Sequence, residues 1–220
     1  MRTPKTILGM LVWAALATPG LEEGLVAKPQ ETAKDHFNHA GVLKQKGDLD
    51  GAIAEYGAAI HLQPEYTEAH YTLANTLYDR GDVEGAIEEY RAAVRALPNF
   101  ADAHYSLGLA LHRKGDLDGA IVEYRAALRL KPNIADAHYN LGKALDAQGD
   151  QEGAIVEYRA ALRLNPNHAK KHLALLGTAL ETRGRLREAL EEYSIATLAD
   201  PNLQTAKTKY EGLVSRLRQK

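Results

Sequence analysis

A stretch of 34 residues, Ala101–Ile134, is followed at once by a second, Ala135–His168, that matches it at 25 positions. No other feature constrains the fold so tightly. Near-identity at that period means two copies of one supersecondary unit, and such units bury their apolar faces against one another in series. Aligning the chain on a recurring proline extends the pattern to five units: Ala33–Tyr66, Thr67–Phe100, Ala101–Ile134, Ala135–His168 and Lys170–Leu203. Pro64, Pro98, Pro132, Pro166 and Pro201 then fall at position 32 of each, with one extra residue before the fifth unit.

Positions 15 and 16 read Gly47-Asp48, Gly81-Asp82, Gly115-Asp116, Gly149-Asp150 and Gly184-Arg185. Glycine accepts the left-handed conformation that ends a helix, and aspartate caps the next helix by accepting its free N–H groups. Each unit is therefore expected to be two short helices, A over about positions 2–14 and B over about positions 17–30. Proline at position 32 stops helix B. Helix A carries an apolar side at positions 7, 8 and 11, as in Leu107, Gly108 and Leu111. Helix B sets one tyrosine between two alanines at positions 20, 24 and 27, as in Ala120, Tyr124 and Ala127. One hairpin cannot bury both faces, so the units stack.

Leu at position 7, Gly or Ala at 8, Ala at 20, Tyr at 24, Ala at 27 and Pro at 32, repeating every 34 residues, resemble the tetratricopeptide repeat family over residues 33–203. The resemblance implies an all-α, right-handed superhelical solenoid. Two positions depart from the family pattern: His36, His70, His104 and His138 stand at position 4 where tryptophan is usual, and leucine replaces tyrosine at position 11. Glycine at position 19 (Gly51, Gly85, Gly119, Gly153) lies inside helix B, costs about 1 kcal/mol against alanine and suggests modest stability or close packing there. Residues 204–220 place Ala206, Tyr210, Leu213, Val214 and Leu217 at helical spacing and are expected to form a capping helix over the last apolar face.

In arrays of this family, positions 2, 5, 9, 12 and 13 of helix A line a concave groove that takes up a peptide or helix of another protein. Carried onto this sequence, the groove holds Phe37, Tyr71, Tyr105 and Tyr139 at position 5. Asn75, Leu109 and Lys143 follow at position 9, Tyr78, His112 and Asp146 at position 12, and Arg113 at position 13. Rings with a polar tip serve well as anchors, although packing between units is a second role they can hold at once. Units 3 and 4 differ mainly in this row and at turns, as in Leu109 against Lys143 and His112 against Asp146. The chaperone-tail clamp of one subfamily is not expected, because Phe37 and Ser106 occupy the slots of its paired cations.

Residues 1–17 differ from all that follows. Arg2 and Lys5 precede an apolar run, Thr6–Ala17, that closes on Ala15-Leu16-Ala17. That pattern is expected to be an export signal, placing the protein in a periplasm or outside the cell; an uncleaved membrane anchor is the alternative. At about 12 residues the run falls short of the ~20 that span a bilayer, so no membrane span is expected in the mature chain. Residues 18–32 read as a tether. Losing Arg2 and Lys5 leaves 25 basic residues against 29 acidic ones, which argues against a nucleic-acid partner.

There is no cysteine, so thiol chemistry and disulfides are excluded. Histidines recurring once per unit sit about a helix spacing apart, too far to share one ion, so no metal and no cofactor are expected. The arginines at positions 25 and 29 of helices B, among them Arg91, Arg125 and Arg159, interleave with glutamates as a solvated mixed-charge face. No catalytic constellation is evident, and the expectation is a protein-binding scaffold rather than an enzyme. A self-assembling structural protein, oligomeric through its ends or convex face, is the alternative. A regulatory remnant of a sugar-transferase-like enzyme is a weaker one, since 17 residues after the last unit hold no catalytic domain.

Overall fold

The computed structural model of this chain describes residues 31–165, 169–199 and 201–219. The expected export segment and nearly all of the expected tether lie outside the described residues. Among those described there are eleven helices: α1 (Ala33–Gln45), α2 (Leu49–Leu62), α3 (Thr67–Arg80), α4 (Val83–Ala96), α5 (Ala101–Lys114), α6 (Leu117–Leu130), α7 (Ala135–Ala147), α8 (Gln151–Leu164), α9 (Ala169–Thr182), α10 (Leu186–Ala199) and α11 (Gln204–Arg218). The chain is an all-α solenoid. Odd-numbered helices from α1 to α9 are the A helices, even ones the B helices, and each packs on its neighbours in chain order. No described helix is long and apolar enough to cross a membrane.

The turns follow from their glycine-aspartate pairs. Gly115 takes φ +90°, a conformation closed to most side chains, and ends α5. The Asp116 carboxylate then accepts the Gly119 N–H at 2.9 Å, and Asp48, Asp82 and Asp150 do the same for Gly51, Gly85 and Gly153. This explains glycine at position 19: a Cβ on Gly119 would stand 2.6 Å from Oδ2 of the capping Asp116 carboxylate. Close packing is present there, but against the cap rather than a neighbouring helix. In unit 5 both partners change together, and Arg185 pairs with Glu188 at 2.7 Å.

A double-substitution cycle tests that coupling. Asp116→Ala is expected to cost about 1 kcal/mol. Gly119→Ala should be nearly neutral alone, since better helix propensity offsets a displaced cap, yet gain about 1 kcal/mol in the Asp116→Ala background. Additive effects in urea titrations would exclude the steric account.

The core is a file of tyrosines. Tyr56, Tyr90, Tyr124, Tyr158 and Tyr193 are at most 2% exposed, flanked by fully buried alanines. Each such ring contributes about 2–3 kcal/mol through burial. Small residues at position 8 of helix A receive them. Ideal Cβ atoms on Gly108, Gly142 and Gly177 would lie 2.7–2.8 Å from the rings of Tyr124, Tyr158 and Tyr193, while Ala40 and Ala74 fill that slot in units 1 and 2. At the C-terminal end α11 buries Ala206 and Leu213 against this core.

Histidine at position 4 joins one unit to the one before. His104 Nδ1 lies 2.6 Å from Glu123 Oε2 of the same unit, and its Nε2 lies 3.0 Å from the carbonyl oxygen of Pro98 in the preceding unit. His70 repeats this with Glu89 and Pro64, and His138 with Glu157 and Pro132. Both partners are acceptors, so both bonds form together only when both ring nitrogens carry hydrogen.

In unit 1, His36 bonds Glu55 at 2.6 Å. The Glu55 hydrogen bond raises the His36 pKa above its ordinary 6.5, and the same bond lowers Glu55 below 4.5. The histidine contribution is complete below pH 6.5 and fades as pH rises through the raised value. The glutamate contribution is complete above pH 4.5 and fades as pH falls through the lowered value. Unit 1 is therefore expected to be best held between those limits. Titration of the His36 ring by NMR should show a midpoint that drops in Glu55→Gln.

Candidate functional site

The A helices bring the position-5 rings to one side of the solenoid, where they are half-buried. Phe37 packs on Tyr56 at 5.5 Å and on Tyr66 at 5.1 Å, measured between ring centroids. Tyr71 lies 6.0 Å from Tyr90 and 4.9 Å from Phe100. Tyr105 and Tyr139 each lie 6.1 Å from the buried tyrosine of their own unit, Tyr124 and Tyr158. Each of the four rings thus rests on the core file and keeps part of its surface exposed. Two hydroxyls reach the next unit: Asn140 Nδ2 donates to Tyr105 Oη at 3.1 Å, and Tyr71 Oη stands 3.5 Å from Ser106 Oγ. Burial pushes the Tyr105 hydroxyl up to about 12, so it remains protonated.

Positions 9 and 12 meet the far ends of the core tyrosines. Tyr90 donates to Asn75 Oδ1 at 2.6 Å, Tyr124 Oη lies 3.5 Å from His112 Nδ1, and Tyr193 donates to Thr178 Oγ1 at 3.0 Å. Leu109 is half-buried against the core. Burial and the Lys143 ammonium hold His112 below its ordinary pKa, which keeps the ring neutral at neutral pH. Lys143 Nζ lies 5.7 Å from the Tyr139 ring. Arg113 lies 4.9 Å over the Tyr78 ring and donates to the Tyr78 carbonyl at 3.4 Å. Burial raises the Asp146 carboxyl above the usual range.

Unit 4 breaks the rule. Tyr158 is fully enclosed, yet its hydroxyl is a buried polar atom with no hydrogen-bond partner among the described residues. Removing a stranded buried hydroxyl recovers its lost hydration. Tyr158→Phe is therefore expected to hold or raise stability by about 1 kcal/mol, whereas Tyr90→Phe, which strands Asn75, should lose about 1 kcal/mol. Parallel thermal melts distinguish them.

The structure thus gathers Phe37, Tyr71, Tyr105 and Tyr139 with Asn75, Tyr78, Leu109, His112, Arg113, Lys143 and Asp146 along the A helices. The sequence reading passed over the core tyrosine hydroxyls and the position-13 partners. Tabulating position 12 of each unit against position 13 of the next would have exposed the latter, since Lys44 and Asp79 already read as opposite charges; they pair at 3.1 Å.

Family models described as tetratricopeptide repeat match residues 37–99, 71–133 and 135–168. No curated protein sequence matches the chain. Among solved structures, the MamA protein is 29% identical, with 82% of this chain and 96% of that one aligned at TM-score 0.74. YrrB, described as a TPR protein with an unusual peptide-binding site, is 23% identical over 83% and 94% at TM-score 0.76. TTC0263 of Thermus thermophilus, described as a thermophilic TPR protein, is 25% identical over 83% and 99% at TM-score 0.52.

Proposed function

This chain belongs to the tetratricopeptide repeat family of protein-interaction scaffolds, and on that footing we propose that its concave groove captures a peptide or helical segment of a partner protein. The observation that carries this reading is the row of half-buried rings, Phe37, Tyr71, Tyr105 and Tyr139, each seated on the core file. Seated rings are pre-ordered, so they offer contact area at little further entropic cost. Asn75, Tyr78, Leu109, His112, Arg113, Lys143 and Asp146 supply shape and polarity between them. The amino-terminal pattern, basic then apolar then small, supports a role in assembly or trafficking at a cell envelope.

Site-specific photocrosslinking tests the groove. Benzoylphenylalanine at Leu109 reports the groove, and the same group at Val122, 59% exposed on a B helix, reports the opposite side. Partner adducts from Leu109 alone are the expected result in extracts of the source cells. Adducts from Val122 alone would overturn the reading.

A second reading, association of copies through the exposed face of α10, is favoured by Leu198 and Ile195, 80% and 49% exposed. Light scattering across a concentration series decides it, because a strict monomer excludes self-association.

A further inference from the structure

We propose that Asp146, at the position from which His112 and Glu181 meet the core tyrosine hydroxyl of their own units, is a subsite for a lysine or arginine side chain of the segment held in the groove. This rests on the groove reading above and names the chemistry of one part of it.

Adjacent A helices are strutted by a contact from position 12 of one unit to position 13 of the next. Lys44 meets Asp79 at 3.1 Å, and Tyr78 lies under Arg113 at 4.9 Å. Continuing the numbering into α11, Glu181 meets Arg216 at 2.8 Å. The two intervening struts are lacking: position 13 is Ala147 opposite His112 and Thr182 opposite Asp146. Alanine has nothing to offer, and the Thr182 hydroxyl donates to the Thr178 carbonyl of its own helix at 3.0 Å.

Unit 5 displays the completed arrangement. There the hydroxyl of the core tyrosine, Tyr193, shares its one hydrogen between Thr178 Oγ1 and Glu181 Oε2, 3.3 Å away, while Lys209 and Arg216 reach the same carboxylate at 3.2 Å and 2.8 Å. A position-12 carboxylate, a tyrosine hydroxyl below it and cations from the next helix make one closed set. Unit 4 has the carboxylate in Asp146 and the hydroxyl in Tyr158, with that hydroxyl unsatisfied. The cation is the missing member. The nearby bases do not supply it, since Arg113 is engaged with Tyr78, Lys143 sits by the Tyr139 ring, and His112 is held neutral. A half-buried carboxylate without a counter-charge accepts a charge-assisted hydrogen bond from an incoming ammonium or guanidinium, and swings to take the tyrosine hydroxyl as Glu181 does.

The test is a random twelve-residue peptide library displayed on phage and panned on the full chain, on Asp146→Asn and on Thr182→Arg. Thr182→Arg installs the missing strut in cis, as Arg216 does for Glu181. Peptides selected by the native protein are expected to share a lysine or arginine whose change to norleucine weakens binding at least about tenfold. That loss should vanish in Asp146→Asn, and Thr182→Arg should weaken the unmodified peptide by a similar factor. Peptides that bind all three proteins equally, while still requiring Tyr105, would overturn this subsite and leave the groove reading standing. If the native protein retains no peptide, both readings fall.

Discussion

With alanine in place of Tyr124, the protein is expected to lose about 4 kcal/mol of folding free energy. The ring is fully enclosed, lies against Gly108 in the notch of α5, and stands 6.1 Å from Tyr105 and 6.4 Å from His112. Truncation leaves a void that alanines at positions 20 and 27 cannot fill, and it undercuts the groove ring above it. Because Tyr124 belongs to the middle unit, the damage falls where both flanking joints are anchored. In a quasi-linear array that loss should split or broaden the urea transition rather than merely shift it. Tyr124→Phe keeps the ring and should lose no more than about 1 kcal/mol. A loss below about 2 kcal/mol for the alanine variant would mean that the file of tyrosines is not the main source of cohesion.

The converse experiment fills a notch. Gly142→Leu is expected to lose about 3 kcal/mol, at the upper end for overpacking, because its Cβ alone would stand 2.8 Å from two carbons of the enclosed Tyr158 ring. Gly142→Ala should fall within about 1 kcal/mol of native. Alanine already holds that slot at Ala40 and Ala74, and a gain of about 1 kcal/mol in helix propensity offsets a small ring displacement. Chemical denaturation of both variants checks the contrast. Equal stabilities would show that the notch is slack.

Helix spans, turn glycines and the tyrosine file were legible in the sequence because each is a local or periodic property. A period of 34 states which residues are equivalent, and equivalence locates the core without coordinates. What escaped is relational. Glycine at position 19 signals a crowded spot in the sequence, but the crowding group, the carboxylate of Asp116 three residues earlier, is visible only once the cap is placed. Position-4 histidine was read as a departure from the family pattern, and its reach to a proline carbonyl of the preceding unit depends on how hairpins stack. The groove row was legible as a list of residues. Which of its members meet a partner on a neighbouring helix, and which, like Asp146, meet none among the described residues, depends on distances between helices that no single repeat encodes.

The histidine clamp has a consequence for how such a chain can change its length. His104 takes one partner 19 residues ahead and the other 6 residues behind. Duplicating or deleting one whole internal unit leaves each clamp histidine of the kind seen at His70, His104 and His138 with an equivalent glutamate and an equivalent proline carbonyl, so no such joint is left with a stranded donor. An insertion of any other size throws the clamps out of step. The gene can therefore be lengthened or shortened in steps of one repeat without renegotiating the joints, while single substitutions at positions 9, 12 and 13 change the side chains of the proposed groove one at a time.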